Sequence, residues 1–166
     1  MRNGLLVVIA AATGFALVAG HDRLHAQAPP AAPPQKDYRP GLGDLMLLVV
    51  QPRHAKLGLA GSAGNWPLAA YSLNELKQAL TKAGQHAPRW RNGFPIPETT
   101  NALLADPVEA LETAIKAADA AAFATAYARV TAGCNACHAA ANIGFITIKT
   151  PDASAFPSQD FQPRTK

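Results

Sequence analysis

Only two cysteines occur in the 166 residues, three positions apart, with a histidine directly behind the second: Cys134, Cys137 and His138 in the stretch TAGCNACHAAANIG. Side chains three apart share a face on a helix, so a helix through this point would present all three groups together. The upstream residues supply one. Asp119 is an N-cap residue, and from Ala120 to about Ala141 the sequence is alanine-rich, with Phe123, Tyr127 and Val130 at i, i+4 and i+7. The same phase brings Cys134, Cys137 and His138 onto or near that face. Gly133 weakens the helix locally and permits a close approach to it.

Three further helical segments are expected. Leu42 to about Ala60 (LGDLMLLVVQPRHAKLGLA) contains Pro52, which removes one backbone bond and clashes with the preceding turn, so this helix either kinks near Leu48 or restarts at Pro52. The second opens at Asn65, an N-cap with Pro67 in the first turn, and ends at Gly84; Leu68, Tyr71, Leu73, Leu76 and Leu80 form its apolar stripe. The third opens at Asp106, with Pro107 as first helical residue and Glu109 completing a capping box, and turns Val108, Leu111 and Ile115 to one side. QHAPRWRNGFPIPETT reads as an irregular crossover between the second and third helices. Phe145 to Ile148 alternates as a strand would but has no evident partner, and FITIKTPDASAFPSQDF reads as an extended tail packed on the helices. Apolar residues make up 49% of the chain and aromatics 7%, so much of the apolar content is alanine, the best helix former. The expected fold is all-α, an antiparallel four-helix bundle.

The N-terminus stands apart. MRNGLLVVIAAATGFALVAG places Arg2 before an apolar run from Gly4 to Gly20, the pattern of a secretory signal peptide over 1–26 with cleavage after Ala26; the rival reading is an uncleaved anchor, the only route to membrane contact. The proline-rich stretch 27–40 reads as a tether, and 41–166 as the folded domain. The signal implies export, to the periplasm in a bacterium. The net charge of +4 comes from scattered Lys and Arg, which gives no nucleic-acid-binding arm.

Cys-x-x-Cys-His suits several chemistries unequally. A redox pair belongs at a helix N-terminus following a strand, where the dipole lowers the thiol pKa, and this pair sits near the end of a long helix. Structural zinc needs four ligands, and the mature chain offers two Cys with His54, His86 and His138 and no second paired motif. Cysteines three apart on a helix make poor disulfide geometry. Covalent attachment of haem fits best: two thiols on one face meet the two vinyl groups of one porphyrin through thioethers, and His138 reaches the iron from the same side.

A single motif of this kind near the end of the last helix of an exported four-helix chain resembles the cytochrome c-prime and cytochrome c-556 superfamily, over about Leu42 to Ala141. RHAKLGLAGSAGNWPLAAYSLNELKQAL and the C-terminal stretch look more like a branch of small periplasmic cytochromes. Those two types usually stop soon after the motif, and this chain continues for more than twenty residues. The resemblance implies one haem c on Cys134 and Cys137, His138 as proximal iron ligand, and a sixth-ligand position on the first helix. A Met or His there gives a six-coordinate electron carrier; an empty site gives a gas-binding iron. Met46 and His54 stand eight apart, roughly 12 Å along a helix, so only one can serve. His54 is preferred as distal ligand because RHAKL looks characteristic of the branch; Met46 is the alternative, with space-filling in the core as its other reading. His86 reads as a loop histidine. Trp66 and Trp90 are candidates to pack on the porphyrin, Arg53, Lys56, Arg89, Arg91 and Arg129 to pair with propionates, and PSQDF to cover the haem edge. The expected function is single-electron transfer to a redox partner protein, without bond-breaking catalysis; NO or CO binding or sensing is the second reading, and homodimer contacts of the family are a further option. No distal His–Arg–Asn set supports a peroxidase-like enzyme.

Overall fold

The computed structural model describes residues 38–164. The expected signal peptide over 1–26 and residues 27–37 of the expected tether lie outside the described residues. At their edge, Tyr38 donates to the Asp44 carboxylate (3.0 Å), which also receives the Gly41 N–H (3.1 Å) and so closes the first turn.

The first helical rod has three parts: α1 (Leu42–Leu45), a π-helical turn (Met46–Val50) and α2 (Gln51–Ser62). Pro52 explains the middle part. It cannot donate to the Leu48 carbonyl, and its ring needs room in the preceding turn. The turn widens, and Gln51 N–H reaches back five residues to Met46 O. The rod therefore neither breaks nor restarts; it absorbs the proline in a π turn.

Asn65 caps α3 (Trp66–His86) by accepting from Leu68 N–H at 3.3 Å. The helix runs past the expected stop at Gly84, where a Cβ would sit 3.2 Å from Pro97 Cγ; this glycine marks a close approach. The buried face is Ala69, Ser72, Leu73, Leu76, Ala79 and Ala83, while Tyr71 is 63% exposed. Alanines fill the interhelical contacts, so a stripe drawn through large residues alone is rotated from the true one.

The crossover is more ordered than expected. Arg89–Trp90 (β1) pairs antiparallel with Phe94–Pro95 (β2) around Asn92 and Gly93, both at positive φ. α4 then spans Ile96–Ala117, with Pro97 in its first turn and Pro107 inside it. The cap expected at Asp106 is thus corrected to Pro95, eleven residues earlier. Pro97 satisfies the same first-turn preference as Pro107, and burial of Ile96 and Leu104 holds the additional turns helical. Pro107 cannot donate to Leu103 O, and this carbonyl faces Gly133 of α5 (Ala120–Ala140), where a Cβ would come within 2.9 Å. Asp119 caps α5 as expected, its Oδ1 accepting from Ala121 and Ala122 at 3.0 and 2.9 Å.

Among the described residues the structure is mostly helical, with β1–β2 as its one sheet. α2 packs on α3, α3 on α4, α4 on α5, and α5 also meets α2. Leu57, Leu76, Leu111 and Val130, one from each of these four helices, are the largest fully buried side chains. α2 and α5 run in opposite senses: Gly61 lies against the Phe123 ring, Gly58 against Tyr127, and His54 against Thr131. The tail returns along α2. Pro151 approaches Gly58, Lys56 stands over the Phe156 ring at 4.8 Å, and buried Phe161 ends beside Asn65, whose Nδ2 donates to the carbonyls of Phe161 (3.2 Å) and Gln162 (3.0 Å).

Candidate functional site

The last two turns of α5 and the reversal after them build the site. Asn142 adopts φ 58°, Asn142 N–H donates to Ala139 O (3.1 Å) and Ile143 N–H to His138 O (2.9 Å). This is a Schellman ending with Asn in the left-handed position, which Asn tolerates better than most residues. It folds the chain back along the outside of α5, so Ile146 and Ile148 pass the residues that precede the turn.

Cys134 and Cys137 are free thiols, both half-buried, and Cys134 packs against the core. Burial pushes the Cys134 thiol up to about 11, with Cys137 adding to the shift, and burial raises Cys137 as well. Both are protonated at neutral pH, the opposite of an activated redox pair. No three His, Cys, Asp or Glu side chains gather as a metal-holding group among the described residues. His138 is half-buried, and its Nδ1 donates to Ile146 O at 2.7 Å. With the proton held there, Nε2 carries the free lone pair.

His54 lies elsewhere. It is 3% exposed, between α2 and α5, with its ring stacked on Tyr127 at 4.7 Å. Nε2 meets Thr131 Oγ1 at 2.9 Å and Nδ1 meets Tyr127 Oη at 3.0 Å; Tyr127 also donates to His54 O at 2.8 Å, and Thr131 to Tyr127 O at 3.0 Å. Burial lowers its pKa to about 4 and raises that of Tyr127. Met46 begins the π turn, partly buried against the core. Each turn backward along α2 meets a turn forward along α5, from Gly61–Phe123 to His54–Thr131. Met46 lies about two turns beyond His54 in that same direction, in the π turn, which packs on α3. Leu47 and Leu48, next to Met46 in sequence, and Phe145 and Ile146, in the stretch that follows the motif, are exposed apolar side chains.

The remaining candidates are spread through the molecule. His86 is exposed at the end of α3. Trp66 packs edge-on to Phe123, and Trp90 lies in β1 under Arg91. Arg53 bonds Glu75 (3.3 Å) and Val49 O (2.9 Å), Arg89 pairs with Glu98 (2.9 Å), and Lys56 covers Phe156. PSQDF ends beside Asn65, at the opposite end from the motif; the stretch that passes the motif is FITI. A surface hollow of about 440 Å³ between Asp106, Glu109, Thr113, Asp119 and Ala122 is likewise far from the motif along α5. Sequence reasoning missed Asn135, whose side chain bonds the Ile148 backbone, and the Ile146 carbonyl. An Asn directly after a long helix is a recognisable left-handed cap and could have signalled the reversal; nothing in the sequence signalled Asn135.

No known protein family, no curated protein and no solved structure matches this chain.

Proposed function

We propose that the chain is an exported c-type cytochrome with one covalent haem on a four-helix bundle, and that it passes single electrons to a partner protein in the periplasm. One observation carries the reading: Cys134 and Cys137 are three apart near the end of α5, and beside them His138 has its Nδ1–H committed to Ile146 O, which leaves Nε2 as a bare nitrogen donor. The donor set fits the group: two uncommitted thiols for thioethers and a neutral imidazole with a fixed tautomer for iron. Haem supplies a one-electron iron couple when bound. Export rests on the N-terminal leader.

For the opposite axial position the packing favours Met46, where the sequence favoured His54. Both nitrogens of His54 already have partners, while Met46 lies about two turns further along the rod, in the direction in which α5 runs toward the motif. Exposed Leu47 and Leu48 next to Met46, and exposed Phe145 and Ile146 after the motif, are apolar side chains of the kind that a porphyrin face would cover.

The test is expression with its leader in a host that matures c-type cytochromes. The expected result is a covalent mass gain of one haem, lost in the Cys134→Ala/Cys137→Ala double variant; an unmodified mass in the exported wild-type chain would overturn the assignment. The reduced spectrum is then expected to be low-spin and unaltered by carbon monoxide. Met46→Ala should make it high-spin and CO-sensitive, and His54→Ala should not. A wild-type spectrum that shifts with CO would replace electron transfer by gas binding.

A further inference from the structure

We propose that Asn135, inside the Cys-x-x-Cys-His motif, is a positioning residue that fixes the imidazole of His138 through the C-terminal tail. The inference rests on the cytochrome reading for its electronic consequence and on the protein alone for its geometry. Asn135 Nδ2 donates to Ile148 O at 2.8 Å, and Ile148 N–H donates to Asn135 Oδ1 at 2.8 Å. The amide thus offers one acceptor and one donor to a single backbone residue, as a neighbouring strand would, in a stretch that has no strand partner. Only one orientation of the amide satisfies both bonds.

The spacing makes the clamp reach His138. Ile148 lies only two residues beyond Ile146, so holding Ile148 against α5 restrains the short stretch that carries the Ile146 carbonyl, and that carbonyl accepts from His138 Nδ1 at 2.7 Å. The segment is pinned at its near end by the Schellman bond from Ile143 to His138 O and by Ile146 N–H to Ile143 O (2.9 Å). Without Asn135, the bond from His138 itself is the main tie between Ile146 and α5. Asn is also a poorer helix former than Ala, so its presence among alanines is explained by what its side chain holds.

A carbonyl that accepts from Nδ1–H makes the other nitrogen a stronger donor. Donation to iron favours the oxidised state, so this clamp lowers the reduction potential. Asn135→Ala tests it at two levels. In the haem-free Cys134→Ala/Cys137→Ala chain, Asn135→Ala should speed hydrogen exchange at Ile148 N–H at least tenfold, the loss of two ordinary hydrogen bonds. Nitrogen-15 shifts should show His138 released from the pure Nδ1–H tautomer. Asn135→Asp keeps one of the two bonds and should fall between, and it serves as the second variant should the alanine chain fold poorly. In the haem-loaded protein, Asn135→Ala should raise the midpoint potential. Unchanged exchange and tautomer with Asn135→Ala would overturn the positioning role whether or not haem is attached; a wild-type chain that gains no haem would overturn the cofactor reading alone.

Discussion

At the scale of single residues, His54 shows how burial and chemistry diverge. Its ring and the two hydroxyls beside it take part in four close contacts: with Tyr127 Oη, with Thr131 Oγ1, from Tyr127 to His54 O, and from Thr131 to Tyr127 O. A neutral ring brings one hydrogen and the hydroxyls two, so one contact lacks a proton; a charged ring would fill all four. Desolvation nevertheless dominates and brings the pKa down to about 4. Between the unfolded value of about 6.5 and about 4, the unfolded chain binds a proton that the folded chain does not. Stability is therefore at its full value above pH 6.5 and falls as pH drops toward 4, by about 3 kcal/mol in all. Urea unfolding at steps from pH 7.5 to 4.5 checks this against His54→Gln, which should start less stable and stay flat from pH 6.5 to 5. Equal slopes for the two proteins would remove His54 as the titrating group. In that window the carboxylates with lowered pKa, Glu98, Glu112 and Asp152, stay ionised. The sequence showed His54 as a nitrogen donor among basic neighbours; it could not show that Tyr127 and Thr131, more than seventy positions away, would occupy both nitrogens.

At the scale of elements, helix starts were legible where one signal stood alone and illegible where two competed. Asn65 and Asp119 each precede an uninterrupted helix and cap it as expected. Asp106–Pro107–x–Glu109 carries the same signals inside α4, because a proline tolerated at a first turn is not confined to it once neighbouring turns are buried. Helix ends follow similar logic. α5 ends in left-handed backbone at Asn142, while α4 does so at Ala118, φ 53°. Alanine has no side chain to compensate for that conformation, which costs an L-residue about 1–2 kcal/mol, whereas glycine adopts it freely at some entropic cost in the unfolded chain. Ala118→Gly is therefore expected to stabilise the protein by roughly 0.5–1 kcal/mol, read as a higher denaturant midpoint at unchanged slope. A lower midpoint would mean that the Ala118 methyl contributes more by contact than its backbone loses by strain.

At the scale of the whole molecule, the helices were legible from periodicity, but the route of the tail was not, because it depends on single contacts with residues distant in sequence. The first part of the tail serves the motif through Asn135 and His138. The last part runs along α2, with Phe156 under Lys56 and Phe161 buried beside Asn65. The two parts should separate under truncation. Removing residues 155–166 takes away both phenylalanines and the two carbonyls that Asn65 holds, while Pro151 and the Ile148 clamp remain. Burying one such ring contributes about 1.5–3 kcal/mol, and the chain entropy recovered offsets part of that, so a loss of about 2–4 kcal/mol is expected in the unfolding free energy. Hydrogen exchange at Ile148 N–H, measured well below the unfolding midpoint, should be preserved in that protein and lost only when truncation reaches residue 148. An unchanged midpoint after removal of 155–166 would mean that Phe161 adds nothing to the folded body. Early loss of Ile148 protection would mean instead that the clamp at the motif depends on the far end of the tail, and the two halves would then act as one strap.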